Sequence, residues 1–340
     1  MRNSRLLVLL AVAAWAAGCG SPPNGSLPSA NTVLSVQRAL PPGTEHLYVS
    51  DIPSRSVLRF PLKAGIPQPA PDARITGFSN PRGVAVGPDG RLYVIDQGKT
   101  QLDVFNPQPG STATPIATLQ LNHPVGINTI AVDPAGYIYA GWEDVCTTEG
   151  FYCGYADVYS PYSQGMKLVN TLQFGGGGGD AHTAQVRGLA VNPFQNLAED
   201  LDVGPPAVWT HAPFPKLTYY MYCGGYNDSG VAWGPGGILS VTDMGSSNPP
   251  DPSQIVVFPK FGVGCPPFYT ITSSTLPLKV PQAIAQHGGL LYVTSQYQQS
   301  VGSAQIFVFD PTVQGSQKPL TIVAGPASGL RDPRGVAIGP

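Results

Sequence analysis

Short apolar runs alternate with clusters of Gly, Pro, Asp, Asn and Ser from Glu45 to the end of the chain. One set comprises Leu47 to Asp51, Leu92 to Asp96, Ile138 to Trp142, Val208 to His211, Leu239 to Asp243 and Leu291 to Ser295, each closing on a polar or aromatic residue. A further set follows each of these: Ser56 to Phe60, Gln101 to Phe105, Ala156 to Tyr159, Leu217 to Tyr222, Gln254 to Phe258 and Gln305 to Phe309. The β-branched and aromatic content of both sets, with turns such as Gly87-Pro-Asp-Gly90 between them, predicts strands. Runs such as Pro115 to Leu119 and Pro319 to Val323 supply another strand to most units. No helical period of apolar positions survives beyond the first seventeen residues, so the domain is predicted to be all-β.

In front of each pair of runs stands a small-residue strand: Gly83-Val-Ala85, Thr129-Ile-Ala131, Gly188-Leu-Ala190, Gly230-Val-Ala232, Ala283-Ile-Ala285 and Gly335-Val-Ala337. The alanines are 46, 59, 42, 53 and 52 residues apart. The C-terminal Pro333-Arg-Gly-Val-Ala-Ile-Gly-Pro340 repeats Pro81-Arg-Gly-Val-Ala-Val-Gly-Pro88, and the strand that should follow it stands instead at Glu45 to Asp51. A repeat split in this way requires a ring joined by its own ends, with Gly335 to Ile338 paired to Leu47 to Asp51. The expectation is a six-bladed β-propeller closed by its N- and C-terminal half-repeats. Small residues on the first strand and Phe or Tyr on the third suit a wedge that widens away from an axis. The third copy departs from the rest: Asn192 to Pro206 reads as an insertion, and too few residues follow Tyr222 for a full fourth strand.

The module Pro-x-Gly-Val-Ala-Val-x-x-x-Gly-x-Leu-Tyr-Val-x-Asp resembles the NHL repeat and its relatives in bacterial secreted propellers. The resemblance spans Glu45 to Pro340, is strong around Ala85, Ala232, Ala285 and Ala337, and is weak around Ala190. It implies a fold and no particular activity, because propellers host many unrelated functions.

Arg2 and Arg5 precede the apolar run Leu6 to Ala17, which reads as a signal peptide over residues 1–18, too short to remain as a membrane span. Ala16-Ala-Gly-Cys19 resembles the bacterial lipobox, whose cysteine is acylated after cleavage, although Ala rather than Leu stands three residues before it. Ala14-Trp-Ala16 offers ordinary cleavage and free secretion instead. Residues 19–44, with Pro22, Pro23, Pro28, Pro41 and Pro42, are then a tether and residues 45–340 the propeller. The expected location is extracytoplasmic, on the bacterial cell envelope through a lipid on Cys19, with secretion as the alternative. Export makes the remaining cysteines disulfide candidates. Cys146 with Cys153 would close a local loop, and Cys223 with Cys265 would staple the third copy where a strand is lacking, the other pairings staying open.

Only 11% of residues are charged, against 41 Gly and 37 Pro. Loss of residues 1–18 would leave 16 basic and 20 acidic residues, a mature charge of −4. No basic patch or charge run suits a nucleic acid, and nothing in the pattern calls for a second copy, so a monomer is expected.

Candidate chemistry lies on the propeller face formed by loops leading into first strands. Three residues before each central alanine stand Arg82, Asn128, Arg187, Ser229, Gln282 and Arg334, which should ring the axial channel. Three guanidinium forks around a partly desolvated opening would attract an anion. The alternative is that they brace neighbouring turns and pair with aspartates. Asp51, Asp96 and Asp243 end second strands and could hold Ca²⁺, or could accept amide N–H groups of their own loops. His123, His182 and His211 could face one side of adjacent blades and hold Zn²⁺, or stand as solvent-facing loop residues, since no tight His spacing links them. No cofactor is firmly implied. Trp142, Phe151, Tyr152, Tyr155 and Tyr162 gather near Cys146 and Cys153, where aromatic faces could stack on a sugar or grip a protein, or pack the loop's own small core.

No nucleophile, base and orienting group can be assembled from these residues. The expected function is therefore a non-catalytic propeller binding a small polar or anionic ligand, a glycan or a protein at the channel mouth. The alternative is a metal-dependent hydrolase or lyase, because propeller lactonases, similar in overall plan, hold a divalent cation there with acidic and amide side chains. Against it, the ring of six contains no Asp or Glu.

Overall fold

The computed structural model describes residues 45–123, 126–145, 152–174, 186–193, 197–201, 207–210, 216–220, 228–244, 253–258, 269–296 and 304–340. Their strands form six antiparallel-ordered sheets, numbered here along the chain by their first strand. Sheet one is Pro81–Val86, Leu92–Asp96, Gln101–Phe105 and Ala117–Gln120. Sheet two is Thr129–Val132, Ile138–Val145, Tyr152–Tyr159 and Leu168–Gln173. Sheet three is Val186–Val191, Leu197–Leu201, Ala207–Thr210 and Lys216–Tyr220. Sheet four is Asp228–Trp233, Leu239–Asp243, Gln254–Phe258 and Tyr269–Ser273, and sheet five is Pro281–His287, Leu290–Ser295, Gln305–Phe309 and Thr321–Val323. Sheet six joins the two ends of the domain: Pro333–Gly339 pairs with His46–Asp51, which pairs with Ser56–Lys63, and Ile66–Pro67 and Ala73–Ile75 complete it. The junction is in register from His46 opposite Gly339 to Val49 opposite Val336.

The second strands His46–Asp51, Leu92–Asp96 and Leu239–Asp243 are buried at every position, so their sheets are covered on both faces. Tyr48 packs with Val84, Leu92 and Val94 of sheet one, whereas its neighbours Leu47 and Val49 pack with Tyr292, Ile306 and Val308 of sheet five. The period of two thus sends alternate side chains into two different clusters. Full burial of one such aliphatic side chain contributes about 1.5–3 kcal/mol.

First strands lie so close that their glycines have no room for a side chain. A Cβ on Gly335 would stand 2.5 Å from the Arg82 carbonyl and 2.9 Å from the Val84 amide, and one on Gly188 would stand 2.8 Å from the Val231 amide. At Gly335, Gly188 and Gly83 the absent side chain is therefore a condition of packing sheet against sheet, while Thr129 and Ala283 hold the same place in sheets two and five, where a side chain fits.

Sheet three corrects the sequence expectation. The segment read as an insertion contains the second strand, Leu197–Leu201, while Ala207–Thr210 is the third strand and Lys216–Tyr220 the fourth. Leu197-Ala-Glu-Asp-Leu201 carries no β-branched or aromatic residue, so its propensity hides a strand that burial of Leu197 and Ala198 stabilises. Four strands are present, and the missing-strand argument for a Cys223–Cys265 staple falls away. A second departure is Gly315–Gln317, which leaves sheet five to pair in parallel with Tyr269–Ser273 at the edge of sheet four.

Candidate functional site: the axial mouth

Each ring residue stands at the start of a first strand, just after the loop that delivers it, and in three sheets that loop is fastened from the second strand of the same sheet. Asp51, fully buried, accepts the amides of Arg331 (2.9 Å), Asp332 (2.6 Å) and Ser54 (3.2 Å). Asp96, also fully buried, accepts those of Ser79 (2.8 Å) and Asn80 (2.7 Å). In sheet five the hydroxyl of Ser295 accepts the Lys279 amide at 3.1 Å. One position, with three occupants, holds the backbone two or three residues ahead of Arg334, Arg82 and Gln282.

Arg82, Asn128, Arg187, Ser229, Gln282 and Arg334 line one cavity of about 30 Å³. A second cavity of about 60 Å³ shares Asn128, Arg187 and Arg334 and continues along the first strands past Gly83, Gly188 and Gly335. The structure therefore brings together the six side chains named from the repeat.

Within the ring, Arg334 Nε lies 2.8 Å from Asp332 Oδ1, its Nη2 donates to Asp332 Oδ2 at 3.0 Å, and its Nη1 donates to Gln282 Oε1. Gln282 Nε2 donates to the Val280 carbonyl at 3.2 Å. Ser229 Oγ donates to the Pro281 carbonyl and lies 3.0 Å from Thr242 Oγ1. Asn80 Nδ2 donates to Gln97 Oε1 at 2.7 Å, and Gln97 Nε2 donates to Asn128 Oδ1 at 3.3 Å. Arg187 is also partnered. Arg82 is different: the Nε atoms of both Arg82 and Arg334 are buried without a hydrogen-bond partner, but Arg334 is held through its two Nη atoms whereas the Arg82 guanidinium makes no hydrogen bond among the described residues. Burial foremost, then the like charge of Arg334, lowers this guanidinium to about 10, with Asp332 opposing the fall and Arg187 adding to it.

Sequence reasoning missed Asp332, Asn80 and Gln97. A signal was present for the first two, since Asp332-Pro-Arg334 and Asn80-Pro-Arg82 place a polar residue at the same offset before a ring arginine.

Where their residues are described, the aspartates follow the loop-capping alternative rather than the metal reading. Asp51 and Asp96 point their oxygens at loop amides, and Asp243 accepts from Gln254 Nε2 at 3.1 Å. Among the described residues no three His, Cys, Asp or Glu side chains converge on a common point. His123 stacks on Trp142 with ring centroids 3.3 Å apart and lies 3.4 Å from Asp157, which is itself engaged by Thr171 and Tyr159. His182 and His211 lie outside the described residues.

Trp142, next to the Gly141 carbonyl that accepts the Asn128 amide, is not among the residues lining either cavity. It sits inside the long hairpin of Ile138–Val145 and Tyr152–Tyr159, 6% exposed, between His123 and Tyr155, whose ring centroid is 4.4 Å from its own. Both of its faces are covered, so it has no free surface for a sugar. Tyr152 opens the return strand opposite Val145. Cys153 is buried there, opposite Asp144, while Cys19, Cys146, Cys223 and Cys265 lie outside the described residues.

Radially packed four-stranded sheets whose first strands line an axial channel define a β-propeller. No protein-family model and no curated protein matches the chain. Among solved structures it is similar to a protein of unknown function from Bacteroides caccae, at 12% identity and a TM-score of 0.61, over 87% of this chain and 98% of that one. It is also similar to a protein from Lactobacillus plantarum, at 12% identity and a TM-score of 0.56, over 86% and 99%. A third likeness is to the PQQ-bound form of aldose sugar dehydrogenase from Streptomyces coelicolor, at 15% identity and a TM-score of 0.51, over 77% and 86%. At these identities the likeness concerns the fold alone.

Proposed function

We propose that this chain is an exported, non-catalytic propeller of six blades, closed by its own termini, that binds a polar ligand at the mouth of its axial channel. Support for the ring comes from the pairing of Pro333–Gly339 with His46–Asp51 and from the cluster that sheet six shares with sheet one. The observation that carries the binding reading is the convergence of six side chains, each at the start of a first strand or just before it, on one cavity. A glycan or protein would meet the mouth from outside, because about 30 Å³ admits only a small group.

Anchorage through Cys19, disulfide pairing of Cys146 with Cys153 and a monomeric state belong to the same reading and rest on the sequence, while Cys223 with Cys265 now rests only on the even number of cysteines that remain in an exported chain. Among the described residues no helix is long and apolar enough to cross a membrane. The hydrolase or lyase alternative has no donor set among the described residues to support it.

The test is a ligand screen by thermal shift, followed by calorimetric titration of each hit against Asn128→Ala, Arg187→Ala and Arg334→Ala. Loss of a charge-assisted contact should weaken binding by about ten- to a hundredfold in at least one variant. Hits that bind all three variants as tightly as the wild type would place the site elsewhere.

A further inference from the structure

Which donors of the ring remain open determines what the mouth can hold. Arg334 is held by Asp332 and Gln282, Gln282 by Val280 and Arg334, and Ser229 by the Pro281 carbonyl. Arg334 Nε and Arg82 Nε are both buried without an acceptor, but only the Arg82 guanidinium has no hydrogen bond at all to a described residue. On the adjacent first strand, Asn128 accepts from Gln97 through Oδ1, which leaves its amino group for another partner. Burial foremost, and then like charge at Arg334 and Arg187 against the opposing Asp332, disfavour the Arg82 cation, and an anion in the cavity would offset both.

We propose that the mouth is an oxyanion site anchored on Arg82, taking one carboxylate, phosphate or sulfate group, either as a free ion or as the end of a larger ligand. This rests on the channel-mouth reading and names its ligand class. A guanidinium offers parallel N–H donors whose spacing matches two oxygens of such a group. A water needs about 10–15 Å³ of such space, so the cavity of about 30 Å³ fits the oxygens of one oxyanion group and excludes a sugar ring.

The full chain would be titrated by calorimetry with inorganic phosphate, sulfate and acetate at low chloride. At least one should bind, with affinity falling as ionic strength rises. Arg82→Gln should weaken that binding by about ten- to a hundredfold, and Arg82→Lys, which keeps the charge without the fork, by less. Without ligand, Arg82→Gln should melt at or above the wild-type temperature, because a disfavoured charge is gone, so lost binding cannot be ascribed to unfolding. Arg59→Gln is the control, since Arg59 is paired with Asp72 at 2.8 Å outside the ring. Glucose 6-phosphate distinguishes the sources: tighter binding than inorganic phosphate assigns the end of a larger ligand, and equal or weaker binding assigns the free ion.

Failure of all three oxyanions to bind the wild type, or equal binding to Arg82→Gln, would overturn the proposal. A neutral ligand that loses affinity in the Asn128→Ala or Arg334→Ala protein would then leave the channel-mouth reading standing without the oxyanion. Indifference of every ligand to those substitutions and to Arg82→Gln would remove both.

Discussion

At the scale of single residues, the same side-chain type serves different ends according to what the backbone presents to it. Asp51 and Asp332 both lie beside the mouth, yet Asp51 fastens the loop through three amides while Asp332 holds Arg334 across the ring. A buried carboxylate with several amide donors is a strong contact, and its loss strands those donors. Asp51→Ala should therefore cost about 3 kcal/mol in urea unfolding, with Asp51→Asn, which keeps one acceptor oxygen, costing less. A loss below about 0.5 kcal/mol, the size of an ordinary surface substitution, would show that the loop does not depend on this residue. The presence of a polar residue at the strand end was legible from the repeat. Whether its oxygens face a cation or an amide was not, because that depends on where a loop some 280 positions away in sequence comes to lie.

At the scale of elements, the second strand carries a tyrosine in four sheets: Tyr48, Tyr93, Tyr139 and Tyr292. Each is almost wholly buried, and two tie distant segments, Tyr48 through its hydroxyl to the Pro340 carbonyl and Tyr292 to that of Gly65 at 2.7 Å. Burial is the leading cause that pushes all four phenols up, Tyr93 and Tyr292 to about 12 and the other two further, and Tyr159 on a third strand follows them. The unfolded chain releases these protons near the ordinary value of about 10 while the folded chain retains them. Stability attributable to these groups is thus full below about pH 10 and falls as pH rises through the folded values. An absorbance titration should show buried tyrosines ionising only together with loss of the circular dichroism of the sheets. Ionisation of all 15 tyrosines at the ordinary value with the sheets intact would contradict this. Alternation made these strands legible, but it failed at Leu197–Leu201, where burial rather than propensity produces the strand.

At the scale of the whole molecule, the two ends of the domain share one sheet. His46–Asp51 has Pro333–Gly339 on one side and Ser56–Lys63 on the other, and Gly335 lies against residues 82–84 of sheet one. Removing 333–340 would open the edge of His46–Asp51, expose Leu47, Tyr48 and Val49, and delete Arg334 from the mouth. The shortened chain is expected to lose cooperative thermal unfolding and to aggregate, as exposed strand edges do. A truncated protein with the wild-type melting temperature would refute ring closure by the C-terminal strand.

By itself the sequence determined the repeating unit, the small residues of the first strand and the six positions that meet at the axis. These follow from a local period of two and from a close approach that each copy must satisfy separately, so every copy records them. Only the tertiary structure decided that Trp142 is enclosed between His123 and Tyr155, that Asp51 and Asp96 serve loops, that Gly315–Gln317 crosses to the edge of sheet four, and that Arg82 is left with a donor unmet. Each of these depends on which groups from remote parts of the chain arrive within about 3 Å, the length of a hydrogen bond or a ring contact, and no local pattern specifies that partner.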